Sequence, residues 1–209
     1  MKAFIFGTFN PVTNAHINMG VVAKNRLGQD CSVIYVPAPD RYIREWKGYG
    51  EQDILPEQVR LKLLEGAASV CGFEVGDAEI TGLSDGKTYN TVEHYGFDGA
   101  VLCLGMDNIL GIRKWYRWEE LLDRVRLLVF RREGYVPGDP DEVKDILDRA
   151  ISYELADLYV DEAGISSTMV RRYHAEGNMK RVKYLVPPNV YGYLMENKDC
   201  LPDGKDLIT

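Results

Sequence analysis

Short apolar, β-branched runs alternate along this chain with stretches whose apolar residues recur every three or four positions. The runs "AFIF" (3–6), "SVIYV" (32–36), "FEV" (73–75), "AVLCL" (100–104), "RLLVF" (126–130) and "DLYV" (157–160) read as strands. In "PEQVRLKLLEGAASVC", Val59, Leu63, Ala67 and Val70 fall at helical spacing, with Pro56 placed near the start. "DPDEVKDILDRAISYELA" repeats the rhythm with Val143, Leu147 and Ile151, behind acidic residues that suit a helix N-terminus. Strand, helix, strand in this order predicts an α/β fold, a doubly wound and mostly parallel sheet with helices on both faces.

Composition adds boundaries to that picture. The chain of 209 residues shows no compositional break, so one domain over 1–209 is expected, with the sheet core in about 1–160 and a helical segment in about 164–198. A formal charge of −7 argues against a general nucleic-acid binder, which needs a basic surface to displace counterions. It leaves room for a small anion in a local basic pocket. Of the four cysteines, none forms a C-x-x-C pair, and Cys31 and Cys103 adjoin apolar runs, so buried free thiols are expected. The apolar run in "MKAFIFG" is too short for a signal peptide and no segment reaches the length of a membrane span, which points to a cytoplasmic protein without membrane contact. The tail "LPDGKDLIT" is polar and expected to be loosely held.

In open parallel sheets ligands bind beyond the carboxyl ends of the strands, so the residues just after each run carry the chemistry. Here they are "GTFNPVTNAH", "PAPDR", "GMDN", "RREG" and "GISSTMVRR". Gly7 follows the first strand, where a missing Cβ lets backbone N–H groups approach a phosphate. Thr13 suits an N-cap, and His16 lies one turn before Met19 on the stripe that Ala23 and Leu27 continue. Helix N-terminus, amides and imidazole together make an anion site. A capping loop with a hydrogen-bonded histidine fits the same stretch equally well.

"GTFNPVTNAH" resembles the signature of the HxGH-type nucleotidylyltransferases, roughly G-x-F-[D/N]-P-x-[H/T]-x-G-H, with Ala15 standing where that family usually has glycine. Taken alone, the motif also suits pantetheine-phosphate adenylyltransferases and cytidylyltransferases. "GMDNILGIRKWYRWEELLDRVRLLVFRREGY" (105–135) is similar to a stretch of bacterial nicotinate-mononucleotide adenylyltransferases, and "GISSTMVRRYHAEGNMKRVKYLVPPNVYGYL" (164–194) to their I-S-S-T-x-[I/V]-R helix start. "KTYNTVEH" (87–94) resembles an altered form of the segment that holds the nicotinate group through main-chain contacts. In "PAPDRYIREWKGYG" the family's P-P-H-K-like run is replaced, leaving Arg41, Arg44 and Lys47 as the cations able to swing over a nucleotide.

The resemblance implies a Rossmann-like fold and transfer of the adenylyl group of ATP to nicotinate or nicotinamide mononucleotide, releasing pyrophosphate. It implies catalytic roles for His16, Thr13 and Arg171, and ATP contacts from Gly7, Thr8, Phe9, Gly105, Asp107, Ser166, Ser167 and Thr168. Asn10, Thr88, Tyr89 and Trp115 would face the mononucleotide. Read without the family, Asp107 is a helix N-cap, Trp115 packs with Leu121 and Leu122, and "ISST" is a capping box that leaves the basic pair Arg171 and Arg172 unexplained. Mg²⁺ is expected mainly on the ATP phosphates, with no protein residue assigned as its ligand. The partners implied are ATP and a pyridine mononucleotide, with a homo-oligomer left open. Two rivals stand beside this reading. One is another adenylyl- or cytidylyltransferase; the other is a nucleotide-binding regulator without catalysis, to which Ala15 and "PAPDR" point and against which His16 and Arg171 speak.

Overall fold

Residues alternate in burial along each central strand because successive side chains leave opposite faces of a pleated sheet. Ala3, Ile5, Val33, Tyr35, Val101, Cys103, Leu128 and Phe130 enter one core. Phe4, Ile34, Val36, Leu102, Leu104, Leu127 and Val129 enter the other. Continuous apolar runs are therefore strands covered on both sides. The computed structural model describes residues 1–47, 54–131, 140–158, 164–198 and 200–201, with the backbone alone at 46, 47, 140 and 142.

The strands are β1 (Lys2–Gly7), β2 (Ser32–Pro37), β3 (Glu74–Val75), β4 (Ala100–Gly105), β5 (Arg126–Arg131) and β6 (Ser152–Asp157). They form one sheet in the order β3-β2-β1-β4-β5-β6, and every pairing is parallel. The register sets Gly7 beside Pro37 and Gly105 beside Phe130, so the first, second, fourth and fifth strands end at one edge. Between β1 and β4 the order reverses, which in a doubly wound sheet opens a crevice at the carboxyl ends.

Helices α1 (Asn14–Leu27), α2 (Asp40–Lys47) and α3 (Glu57–Ser69) belong to the first half. Then come α4 (Thr88–Tyr95), α5 (Met106–Gly111), α6 (Trp118–Leu122) and α7 (Pro140–Arg149). The chain closes with α8 (Ser167–Ala175), α9 (Met179–Leu185) and α10 (Pro188–Glu196). Residues of α1, α3, α8, α9 and α10 fill the first core; those of α4 to α7 fill the second.

Three expectations need correction. The periodic stretch before "DLYV" does not stay helical to its end: α7 stops at Arg149, and β6 is Ser152–Asp157, ahead of the predicted 157–160. Ile151 is exposed, in the link between them. Only Ala156 of β6 is buried, so this edge strand lacks the apolar run that marked the others, while residues 159 and 160 lie outside the described ones. Val70 lies past the end of α3 and is 83% exposed. Of the cysteines, Cys31 and Cys103 are buried, and burial pushes both thiols up in pKa. Cys71, by contrast, is exposed on the turn after α3. No helix among the described residues is long and apolar enough to cross a membrane.

Candidate active site

A cleft of about 320 Å³ opens at the carboxyl ends of β1, β4 and β5, where the strand order reverses. Its wall includes Gly7, Thr8, Phe9 and Asn10 after β1, Gly105 and Asp107 after β4, and Ser166, Ser167, Thr168 and Arg171 from the start of α8. His16 reaches it from the first turn of α1. Residues 161 apart in sequence, Asn10 and Arg171, are joined directly by a 2.8 Å hydrogen bond from the guanidinium to the Asn10 carbonyl.

The first loop is built to hold His16 in one state. Thr13 caps α1 from an extended backbone, and its Oγ1 accepts from the His16 N–H at 3.4 Å. In return the Thr13 N–H donates to His16 Nδ1 at 3.0 Å, and Thr13 Oγ1 lies 2.8 Å from the same nitrogen. This is a capping box in which imidazole takes the place usually filled by a carboxylate or amide. Because Nδ1 accepts from the backbone, the proton of the neutral ring sits on Nε2. Capping and a directed histidine, set against each other in the sequence, are thus one device. Thr13 itself is fully buried and does not line the cleft. The Phe9 ring stands edge-on to the imidazole, centroids 5.1 Å apart.

Gly7 lines the cleft and has a packing reason beside the one its position suggested. A Cβ there would meet the Phe9 ring at 2.9 Å, so the missing side chain makes room for Phe9. Phe9 is itself at φ 49°, a conformation costly for a residue with a Cβ and one found where a loop is held by its surroundings. At the end of β4, a Cβ on Gly105 would come within 2.3 Å of Asp107 Oδ1, so glycine lets that carboxylate lie against the strand end. The N-cap of α5 is Gly105, and Asp107 stands in the first turn rather than at the cap.

On the opposite wall, Ser166 caps α8, accepting from the Met169 N–H at 3.2 Å. Ser167 donates to the Pro11 carbonyl at 2.8 Å, and Arg171 donates to Thr168 Oγ1 at 3.1 Å. The α8 N-terminus is therefore tied to the β1–α1 loop, and the N-terminal ends of α1 and α8 face one cleft. Arg172 is turned elsewhere, with its guanidinium 5.0 Å from the Tyr173 ring centroid.

Trp115, Thr88 and Tyr89 do not line this cleft. Trp115 packs against the core that holds Leu121 and Leu122. Thr88 opens α4, and Tyr89 is 2% exposed, its hydroxyl accepting from Arg124 at 3.0 Å and its ring centroid 4.1 Å from the Arg117 guanidinium. The Tyr89 ring is therefore part of the core and not of the cleft wall. Arg41 donates to the Ser84 carbonyl at 3.0 Å and Arg44 lies 3.8 Å from Asp40, so neither side chain forms part of the cleft wall, while the Lys47 side chain lies outside the described residues.

Asn108 and Arg131 line the cleft without having been singled out. Each stands at a strand end already marked for reading, Asn108 in "GMDN" and Arg131 in "RREG". Arg131 forms a two-pronged pair with Asp157 across the ends of β5 and β6.

Residues 4–173 match the cytidylyltransferase-like family. A protein named "Probable nicotinate-nucleotide adenylyltransferase" from Clostridium acetobutylicum is 28% identical over 201 residues, covering 94% of this chain and 97% of its own. A protein of the same name from Dehalococcoides mccartyi is 32% identical over 200 residues, covering 91% of this chain and 92% of its own. Among solved structures, the Plasmodium falciparum nicotinic acid mononucleotide adenylyltransferase complexed with APC shares the fold, with a TM-score of 0.70 at 17% identity and 94% of each chain covered. The match over residues 4–173 and the Dehalococcoides relative place this chain in the cytidylyltransferase-like family and, within it, among the nicotinate-nucleotide adenylyltransferases.

Proposed function

We propose that the cleft joins the 5′-phosphate of nicotinate mononucleotide to the α-phosphorus of ATP, forming the dinucleotide and releasing pyrophosphate. The observation that carries this reading is the convergence of His16, Arg171 and two helix N-termini on one cleft at the reversal of strand order. The nucleophile is already an anion, so no strong base is needed. Catalysis then rests on holding two polyanions in line and on neutralising charge that grows on the α- and β-phosphates.

In this reading His16 donates from Nε2 to an α-phosphate oxygen, with Thr13 holding the tautomer. Arg171 and the N–H groups at the start of α8 take the β- and γ-phosphates, with the hydroxyls of Ser166, Ser167 and Thr168 beside them. Asp107 accepts from a ribose hydroxyl, and the amides of Thr8 and Phe9 serve the phosphate chain. Asn10, Thr88 and Tyr89, the last two through their main chain, and the ring of Trp115 serve the mononucleotide. The charge of Mg²⁺ enters with the nucleotide as MgATP. Among the described residues no group of three histidine, cysteine or carboxylate side chains is placed to hold a metal. Asp107 is the one carboxylate of the wall among the described residues, which fits an ion carried by phosphate and water.

The test is pyrophosphate release from ATP with nicotinate mononucleotide, nicotinamide mononucleotide and pantetheine phosphate offered in parallel. Turnover is expected with the pyridine mononucleotides, nicotinate foremost; turnover confined to pantetheine phosphate would overturn the reading. His16→Ala is expected to lower turnover by about 10²–10³-fold with the fold retained. A near-parental rate in that variant would remove His16 from the mechanism.

A further inference from the structure

"PAPDR" departs from the family pattern, and its acidic residue is bound from below by a buried cation. Arg60 lies on α3 with 0% of its surface exposed, on the stripe that Leu63, Leu64 and Ala67 continue. A guanidinium has five N–H donors and does not shed its charge, so burial demands acceptors around it. They come from three segments. Nε donates to the Leu55 carbonyl at 3.2 Å, Nη1 to the Thr8 carbonyl at 2.7 Å, and Nη2 to the Asp40 carboxylate at 2.6 Å. Two further bonds tighten the same junction: the Leu55 N–H donates to Asn10 Oδ1 at 2.9 Å, and the Asp40 N–H to Glu57 Oε2 at 2.7 Å.

Among the described residues, Arg60 and Arg171 are the two buried arginines, and they grip the same loop at both ends. Arg60 takes the Thr8 carbonyl and Arg171 the Asn10 carbonyl, with Phe9 at φ 49° between them. In a trans peptide the N–H points opposite to the C=O, so holding the Thr8 carbonyl toward α3 turns the Phe9 N–H away from it. Arg60 itself does not line the cleft, whereas Thr8, Phe9 and Asn10 do.

We propose that Arg60 and Asp40 form a buried brace that sets the Thr8–Asn10 loop against the start of α2, and that both are positioning residues for adenylyl transfer. The brace rests on the function proposed above, and the assay separates the two. The parent protein is measured first: no turnover there would sink the function, not the brace. Kinetic constants per folded molecule and thermal melting are then compared for Arg60→Lys and Asp40→Asn. Lysine keeps the charge beside Asp40, but one ammonium on a flexible stem cannot reproduce the planar fork that holds two carbonyls and a carboxylate. Arg60→Lys is expected to melt cooperatively and to lose about 10–100-fold in turnover, because displacement of a positioned loop by an ångström costs that much. The Michaelis constants for both substrates are expected to change by less than about threefold, since the reacting geometry and not the bulk of the binding surface is disturbed. Asp40→Asn keeps an acceptor but removes the charge, and a loss of about 3–10-fold in turnover is expected. A folded Arg60→Lys protein with turnover within about twofold of the parent, per folded molecule, overturns the brace. If Arg60→Lys does not fold, Asp40→Asn decides: turnover within about twofold of the parent overturns the proposal, and a larger loss upholds it.

Discussion

His16 owes its tautomer to a neighbour that does not line the cleft. Thr13 is fully buried, yet its N–H fixes the imidazole tautomer and its hydroxyl closes the first turn of α1. The substitution Thr13→Val removes the hydroxyl and keeps the shape and the backbone donor. Loss of an N-cap is expected to cost about 1 kcal/mol of stability, measurable by chemical denaturation. Turnover is expected to fall less than in His16→Ala, because the Thr13 N–H still faces Nδ1; an equal fall would mean that the hydroxyl, not the amide, sets the ring. This pairing was visible in the sequence as a spacing, and only the hydrogen bonds revealed its direction. Arg60 was hidden for a related reason. It shares the apolar stripe of α3, and a charged residue on such a stripe signals a buried ion only once the acceptors around it are known.

At the scale of elements, α8 is what gives the crevice its second wall. Its first turn is anchored through Ser167 to Pro11 and through Arg171 to Asn10, so cap, anchor and cation arrive together. Ser166→Ala is expected to destabilise the protein by about 0.5–2 kcal/mol through loss of the α8 cap. A rise in the Michaelis constant for ATP is expected to accompany it, checked by steady-state kinetics; an unchanged constant would show that the α8 amides do not meet the nucleotide. The "ISST…R" pattern announced this helix and its start. What defeated the reading of β6 was geometry: an edge strand with one face to solvent needs few apolar residues, so it carries little pattern.

Across the whole molecule, the linker between β3 and α4 carries an ionisable core. Glu79 is 4% exposed, and burial pushes its carboxyl up to about 7, opposed by the hydrogen bond from Thr91 (2.7 Å) and by Arg41, and reinforced by Asp85. The folded protein thus keeps a proton that the unfolded chain has released. Stability from this group is full below about pH 4.5 and is lost as pH rises to about 7. Glu79→Gln keeps an acceptor for Thr91 and carries no charge. Relative to the parent it is expected to gain about 1–3 kcal/mol at pH 8 and little at pH 5, by denaturant unfolding at both values. An equal difference at the two pH values would rule out titration of Glu79 as the cause.

The sequence by itself determined the class of fold, the central strands and the family, because apolar runs and short motifs are local and survive in one dimension. Gly7, Asp107, His16 and "ISST…R" could be picked out for the same reason: each lies at a strand end or in the loop and helix start that follow one, where a parallel sheet binds its ligands. Only the tertiary structure decided that Gly7 makes room for Phe9, that Asp107 lies beyond the cap, and that Arg60 and Arg171 grip one loop from two sides. The two arginine grips are contacts between segments far apart in the chain, 52 and 161 residues. Which carbonyl meets which guanidinium depends on how the helices seat on the sheet, and no local pattern of residues encodes that distance.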